Sequence, residues 1–270
     1  MSNLSNFIEF KKANRIWAVG SIHSNINSFN SIKKYIIENF QTDDKLIFLG
    51  NIIGLGNDAK NTLSKVIRLR FKLMAKYELD SDDIVFLRGA QEEMFTKLQQ
   101  LQTAPNPKEI IEWMFSHGVD NTIKSYDLDP EDIRNIASQG TIKISKWTSK
   151  LNSYIASIPG HKEYFSNLKH AAFSQTKKIL FVNRGVDISR PLSAQNDCFW
   201  WGYQNFSQIN KPYNSFQRIV RGYQSEHKYN FDKLKNDVVC TLFKQPLNNM
   251  KVLAGIFSEK GDIIDLFESK

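Results

Sequence analysis

The chain has 270 residues, 41% of them hydrophobic, and a formal net charge of +8, which is enough apolar material for a sizeable core in one elaborated domain. Cys198 and Cys240 are too few for a disulfide framework or a thiolate metal site and read as small buried hydrophobes. No apolar run approaches the about 18 residues of a membrane span, and the start, Met1-Ser2-Asn3-Leu4-Ser5-Asn6, lacks the basic-then-apolar pattern of a signal peptide, so a cytoplasmic chain without membrane insertion is expected.

The positive charge does not by itself point to nucleic acid. Lysines outnumber arginines and are scattered; the densest basic runs, Lys11-Lys12 with Arg15 and Arg68-Leu69-Arg70-Phe71-Lys72, are short. Tyrosine and tryptophan do not interleave with arginine as in RNA-binding signatures, so a nucleic-acid partner is not expected.

The first part of the chain alternates strand and helix. Residues 16–19 read as a strand, 27–40 as a helix with Phe29, Ile32, Ile36 and Ile37 on one face, and 45–49 as the next strand. A long helix over 58–77 follows, with Leu63, Val66, Ile67 and Phe71 spaced for burial, and then a third strand over 84–87. Each strand ends in glycine, at Gly20, Gly50 and Gly89, which suits tight turns at the carboxyl ends of parallel strands.

From 93 to about 173 the pattern becomes helical, forming an insertion within a single domain spanning 1–270. Asn106-Pro107-Lys108-Glu109 and Asp129-Pro130-Glu131-Asp132 both look like helix starts, with proline at the first helical position and carboxylates in the first turn. Strand character returns at 179–182, 238–243, 251–257 and 262–267. In between lie Phe199-Trp200-Trp201-Gly202 and Lys211-Pro212-Tyr213, aromatic clusters that suit core packing or a stacking surface for a base or peptide.

Five segments carry a further signal through their order: Gly20-Ser21-Ile22-His23, Leu49-Gly50-Asn51, Arg88-Gly89-Ala90-Gln91-Glu92, Val182-Asn183-Arg184-Gly185 and Arg221-Gly222-Tyr223. They resemble the motifs G-D-x-H-G, G-D-x-x-D-R-G, G-N-H-E, H-x-G and R-G-H of the calcineurin-like metallophosphoesterase superfamily. The run from Phe181 to Gln195, with Arg190-Pro191-Leu192 and Gln195, is similar to that of bacterial PPP-type serine/threonine protein phosphatases and diadenosine tetraphosphatases. Trp113, Met114 and Phe115 with His117-Gly118 match a stretch some bacterial phosphatases carry. The resemblance covers residues 15–224 and implies a four-layer α/β/β/α sandwich with the helical insertion over the mouth of the site.

The same resemblance implies that the chemistry has been removed. Family members hold two divalent cations about 3.5–4 Å apart with hard oxygen and imidazole ligands. By resemblance, the first metal would be held from the positions of Ser21, His23 and Asn51, the second from those of Asn51, Ala90, Asn183 and Tyr223. Only His23 keeps a ligand type. Hydroxyl and amide groups bring no negative charge, Ala90 has no donor, and tyrosine ionises only near pH 10. The family's general acid matches Gln91, which cannot donate a proton near neutral pH; its partner aspartate matches Gly54 and its phosphate-binding arginine Leu55.

These losses lead to an expectation of a catalytically degenerate protein, a pseudophosphatase that binds or regulates and needs no metal cofactor. The alternative is an active phosphoesterase or protein phosphatase, with one divalent metal (Mn, Fe or Zn) on His23 and a recruited histidine such as His117 or His227, or with chemistry that uses no metal. Arg88, Arg184 and Arg221 lie near the same strand ends and are candidates for binding a phosphorylated small molecule or an acidic partner segment. The competing role for these arginines is pairing with carboxylates such as Glu92 and Asp187 to hold loops in place.

Overall fold

The computed structural model describes residues 6–202, 206–223, 238–243 and 251–270. The residues read for a signal, 1–5, and also Gln224 and His227, lie outside the described residues.

Among the described residues, two five-stranded mixed sheets pack face to face. In the first, β2 (Ile16–Val19), β3 (Lys45–Phe48) and β4 (Ile84–Phe86) run parallel, and β9 (Leu253–Phe257) and β10 (Ile263–Glu268) extend it antiparallel on the other side, giving the order β10-β9-β2-β3-β4. In the second, β1 (Phe7–Glu9), β5 (Ala171–Phe173), β6 (Ile179–Val182), β7 (Arg218–Arg221) and β8 (Val239–Thr241) follow in that order.

Alternation along the strands explains the layering. Ile16, Ala18, Ile47, Leu49, Val85 and Leu87 face Ile179, Phe181, Val220 and Cys240 in the core between the sheets. Their neighbours Trp17, Val19, Leu46, Phe48, Ile84 and Phe86 point the other way, into a core shared with the helices. Strands buried on both faces read as continuous apolar runs, which is how these appear in the sequence. The second sheet is covered on its outer face by α9 (Cys198–Trp201) and by Phe206, Ile209, Tyr213 and Phe216.

Helices α1 (Ile26–Asn39) and α2 (Ala59–Tyr77) pack on the first sheet. Asn25 caps α1, its side-chain oxygen accepting from the Ser28 N–H at 3.0 Å. Phe71 differs from its expected burial: it stands on the outer side of α2 and is 55% exposed, while Leu63, Val66, Ile67, Leu69 and Leu73 supply the apolar face. The insertion consists of α3 (Ala90–Leu98), α4 (Pro107–Ser116), α5 (Val119–Ser125), α6 (Pro130–Ile136), α7 (Thr141–Ser157) and α8 (His161–Ser166). Both proline-led starts are confirmed, and Asp129 caps α6 through the Glu131 N–H. The helical stretch ends sooner than expected, because Ala171–Phe173 is a strand that bridges β1 and β6.

Candidate functional site

The glycine-terminated strands of both sheets end at one place, and their turns are stitched together. The Ser21 N–H donates to the Gly222 carbonyl at 2.9 Å; the Ile22 and His23 N–H groups both donate to the Asn51 carbonyl, and the Gly222 and Tyr223 N–H groups to the Asn183 carbonyl. Approach this close excludes side chains: a Cβ on Gly20 would lie 1.9 Å from the Leu242 oxygen, and one on Gly89 2.3 Å from Asn51 Oδ1. His23, Ser24 and Asn51 adopt left-handed backbone conformations, with φ of 48°, 62° and 52°. L-residues occupy that region at a cost, so the surroundings must hold them there.

Glu92 supplies that hold. Its fully buried carboxylate accepts the N–H groups of Asn51 (2.7 Å), Ile52 (2.8 Å), Ile53 (3.3 Å) and Gly89 (3.1 Å), and the Tyr164 hydroxyl at 3.1 Å. Burial raises its pKa, and the backbone donors oppose the shift. Glu92 therefore does not pair with an arginine. Asp187 does not pair with Arg184 or Arg221 either; it meets Arg190 at 3.0 Å and accepts from Ser189.

The structure brings the seven positions singled out by the motifs to this convergence. Ser21, His23, Asn51, Ala90, Gln91 and Asn183 are all buried, and Tyr223 is half-buried at the edge. The Asn51 amide donates to Ser21 Oγ at 3.2 Å while its oxygen accepts the Gln91 N–H at 3.1 Å. The Asn183 amide donates to the Leu49 carbonyl at 2.6 Å. A carboxamide carries a donor and an acceptor side by side, so it can tie two groups together without a cation between them. Gln91 is likewise engaged, donating through Nε2 to the His117 carbonyl at 3.0 Å.

His23 is the exception, since neither of its ring nitrogens has a hydrogen-bond partner. The ring packs edge-on against Tyr223 (5.2 Å between centroids) and Phe243 (6.1 Å). Burial pulls its pKa down to about 3, so the imidazole is neutral at neutral pH. Burial also raises the Tyr223 pKa, which moves that hydroxyl further from the phenolate a metal would want. Gln91 Oε1, Asn183 Oδ1 and Ser24 Oγ are further buried oxygens without partners.

A pair of divalent cations does not fit these groups: Ala90 offers no donor, the Asn51 oxygen already accepts from the Gln91 N–H, and the set Ser21, His23, Asn51, Ala90, Asn183 and Tyr223 contains no carboxylate to bridge. Among the described residues, no group of three or more His, Cys, Asp and Glu could hold a metal ion. His117 does not bring its ring to the centre: it caps α4, with Nδ1 2.7 Å from the Trp113 carbonyl, and only its own carbonyl reaches Gln91.

The three arginines surround the convergence without sharing one task. Arg88 donates to Glu93 at 2.7 Å and lies 5.7 Å from the Trp200 ring. Arg184 sits over the Tyr223 ring at 5.6 Å. Arg221 is buried, donating to Thr241 Oγ1 (2.9 Å) and the Arg184 carbonyl (3.4 Å), and stacks 4.2 Å from Phe206. Gly54 and Leu55 turn left-handed beside Gln91, at φ of 88° and 56°.

Among solved structures similar to this chain, the first named here shares this architecture. A protein provisionally described as a diadenosine tetraphosphatase aligns over 98% of this chain and 98% of its own, with a TM-score of 0.54 and 15% identity. A protein serine/threonine phosphatase from Saccharomyces cerevisiae aligns over 95% of this chain and 79% of its own at 14% identity (TM-score 0.46). A metallophosphoesterase from Sphaerobacter thermophilus aligns over 96% and 89% at 12% identity (TM-score 0.45). No protein-family model and no curated protein matches the sequence. The chain has the fold of the calcineurin-like metallophosphoesterases, and at 15% identity the first of these alignments speaks to fold and not to activity.

Proposed function

We propose that this chain is a pseudophosphatase, a metallophosphatase-fold protein that binds rather than hydrolyses and acts as a binding or regulatory module in the cytoplasm. The observation that carries the reading is the Asn51 amide. At the position of the family's bridging carboxylate it is engaged on both edges, by Ser21 Oγ and by the Gln91 N–H. Hydrolysis by the family's route needs a metal-activated nucleophile and an acid for the leaving oxygen. Ser21, Asn51, Ala90 and Asn183 do not provide for the first, and Gln91 does not provide the second. The favoured ligand is a phosphorylated small molecule or an acidic protein segment, because Arg88, Arg184 and Arg221 offer planar donors suited to oxyanions.

His23 supports a second reading, a single-metal hydrolase. Its two unpartnered nitrogens and low pKa keep it in the neutral form that binds metals. Turnover separates the two. With Mn²⁺ added, phosphate mono- and diesters and dinucleoside tetraphosphates should be hydrolysed no faster than by buffer. Turnover abolished by His23→Ala would establish the enzyme instead.

A further inference from the structure

Beside Arg88 a cleft of about 650 Å³ opens between α3, α7 and α8, within the size range of small-molecule sites. Its polar lining has an uneven charge. Arg88 and Lys162 contribute cations, and no carboxylate lines it. An adjacent acid, Glu93, is shared: it takes the Nη1 edge of Arg88 at 2.7 Å and lies 3.8 Å from Lys97, so one carboxylate stands between two cations.

The hydrogen bonding along this cleft is incomplete. Arg88 Nε and Thr96 Oγ1 are both buried, and both lack a partner. Leaving such groups unmatched is costly, and an incoming acceptor oxygen offsets the cost. Asn152, Ser153 and Ser166 add neutral amide and hydroxyl groups around the cations, the complement of a hydroxylated ligand body.

We infer that this cleft is an oxyanion site for a phosphate monoester carried on a polyhydroxylated body, as in a phosphosugar, with Arg88 and Lys162 on the phosphate and Thr96 at its base. Two cations favour a dianionic phosphate over a monoanionic carboxylate. This rests on the binding reading given above, and it moves the ligand from the centre at the strand ends to this cleft.

The test is calorimetric titration of the full chain at low salt with ribose 5-phosphate, in parallel with ribose and with inorganic phosphate, assaying phosphate release in the same samples. Ribose 5-phosphate should bind with an affinity that falls as salt is added, more tightly than inorganic phosphate, and ribose should not bind. Lys162→Ala and Thr96→Val should each weaken binding by about tenfold, roughly the value of one hydrogen bond to a charged group. Thr96→Val removes an unsatisfied hydroxyl and should leave the melting temperature unchanged, so lost binding cannot be blamed on lost folding. Lys146→Ala, about two turns before Ser153 on α7 and outside the cleft lining, should bind like the parent. Absence of binding, binding indifferent to Lys162 and Thr96, or equal affinity for inorganic phosphate overturns the assignment. Phosphate release from a ligand that binds through Lys162 and Thr96 leaves the cleft assigned and overturns the non-hydrolytic reading instead.

Discussion

Ala90, Gln91 and Glu92 begin one helix, yet the first two and the third serve different ends. By motif resemblance Ala90 and Gln91 match a metal ligand and a general acid, and neither side chain carries the group for that chemistry. Glu92, one residue further on, gathers five hydrogen bonds on its buried carboxyl, four from N–H groups of the surrounding backbone and one from the Tyr164 hydroxyl of α8. Ala90 and Gln91 bring no ionisable group to the centre, whereas the Glu92 carboxyl faces the backbone of the turns. The turns are thus held by Glu92 and by the close backbone approach at the glycines.

The largest effect should come from breaking the scaffold side. Glu92→Ala leaves four buried N–H groups and a tyrosine hydroxyl without an acceptor. It should lower the unfolding free energy by at least about 4 kcal/mol, a large share of the roughly 5–15 kcal/mol of a typical domain, read by urea denaturation. Glu92→Gln keeps one acceptor oxygen and should cost less. A Glu92→Ala variant as stable as the parent would mean that the turns hold themselves.

On the centre-facing side, Asn183→Asp tests whether the amide is a tie. It replaces the donor to the Leu49 carbonyl, 2.6 Å away, with a second acceptor. The expected loss is about 3 kcal/mol near neutral pH. It should shrink in acid, where the protonated carboxyl can donate to that carbonyl. A loss that does not change with pH would point to packing instead.

Protonation of His23 gives a smaller, graded effect. Its folded pKa of about 3 lies below the ordinary 6.5, so the unfolded chain binds more protons between those values. Its contribution to stability is complete above pH 6.5 and is lost as pH falls towards 3, at about 1.4 kcal/mol per pH unit. His161, lowered to about 4 by burial and by the Lys60 charge, acts in the same direction, and Glu92, raised by burial, acts in the opposite one. The difference between the parent and His23→Phe isolates the first. Denaturation of both from pH 8 to pH 4 should show a shallower loss in the variant, and parallel curves would show that His23 is not buried neutral.

The sequence carried what is local. The strands over 16–19 and 179–182 were legible to the residue because they are apolar on both faces and end in turns, and the proline-led helices because proline and a cap mark a start. β1 and β5 were not legible: each has three residues, too few for a period, and they are defined by pairing with each other across the chain. Phe71 fits the apolar rhythm of α2 but stands on its outer side. At the strand ends, motif order singled out Ser21, Asn51 and Asn183, which the fold brings together. The bonds that tie Asn51 to Ser21 and to Gln91 span 30 and 40 residues, and no local pattern reveals them. Glu92 was visible as a motif letter and as an ion-pair candidate. Its grip on backbone N–H groups became apparent only once the turns were assembled.

The most direct test of the account is the metal content of the protein purified without chelators. Elemental analysis should find no stoichiometric Mn, Fe, Zn, Ni or Co, because amide ties occupy the positions where ligands would stand. One or two metals per chain, lost on His23→Ala, would contradict it and return the centre to catalysis.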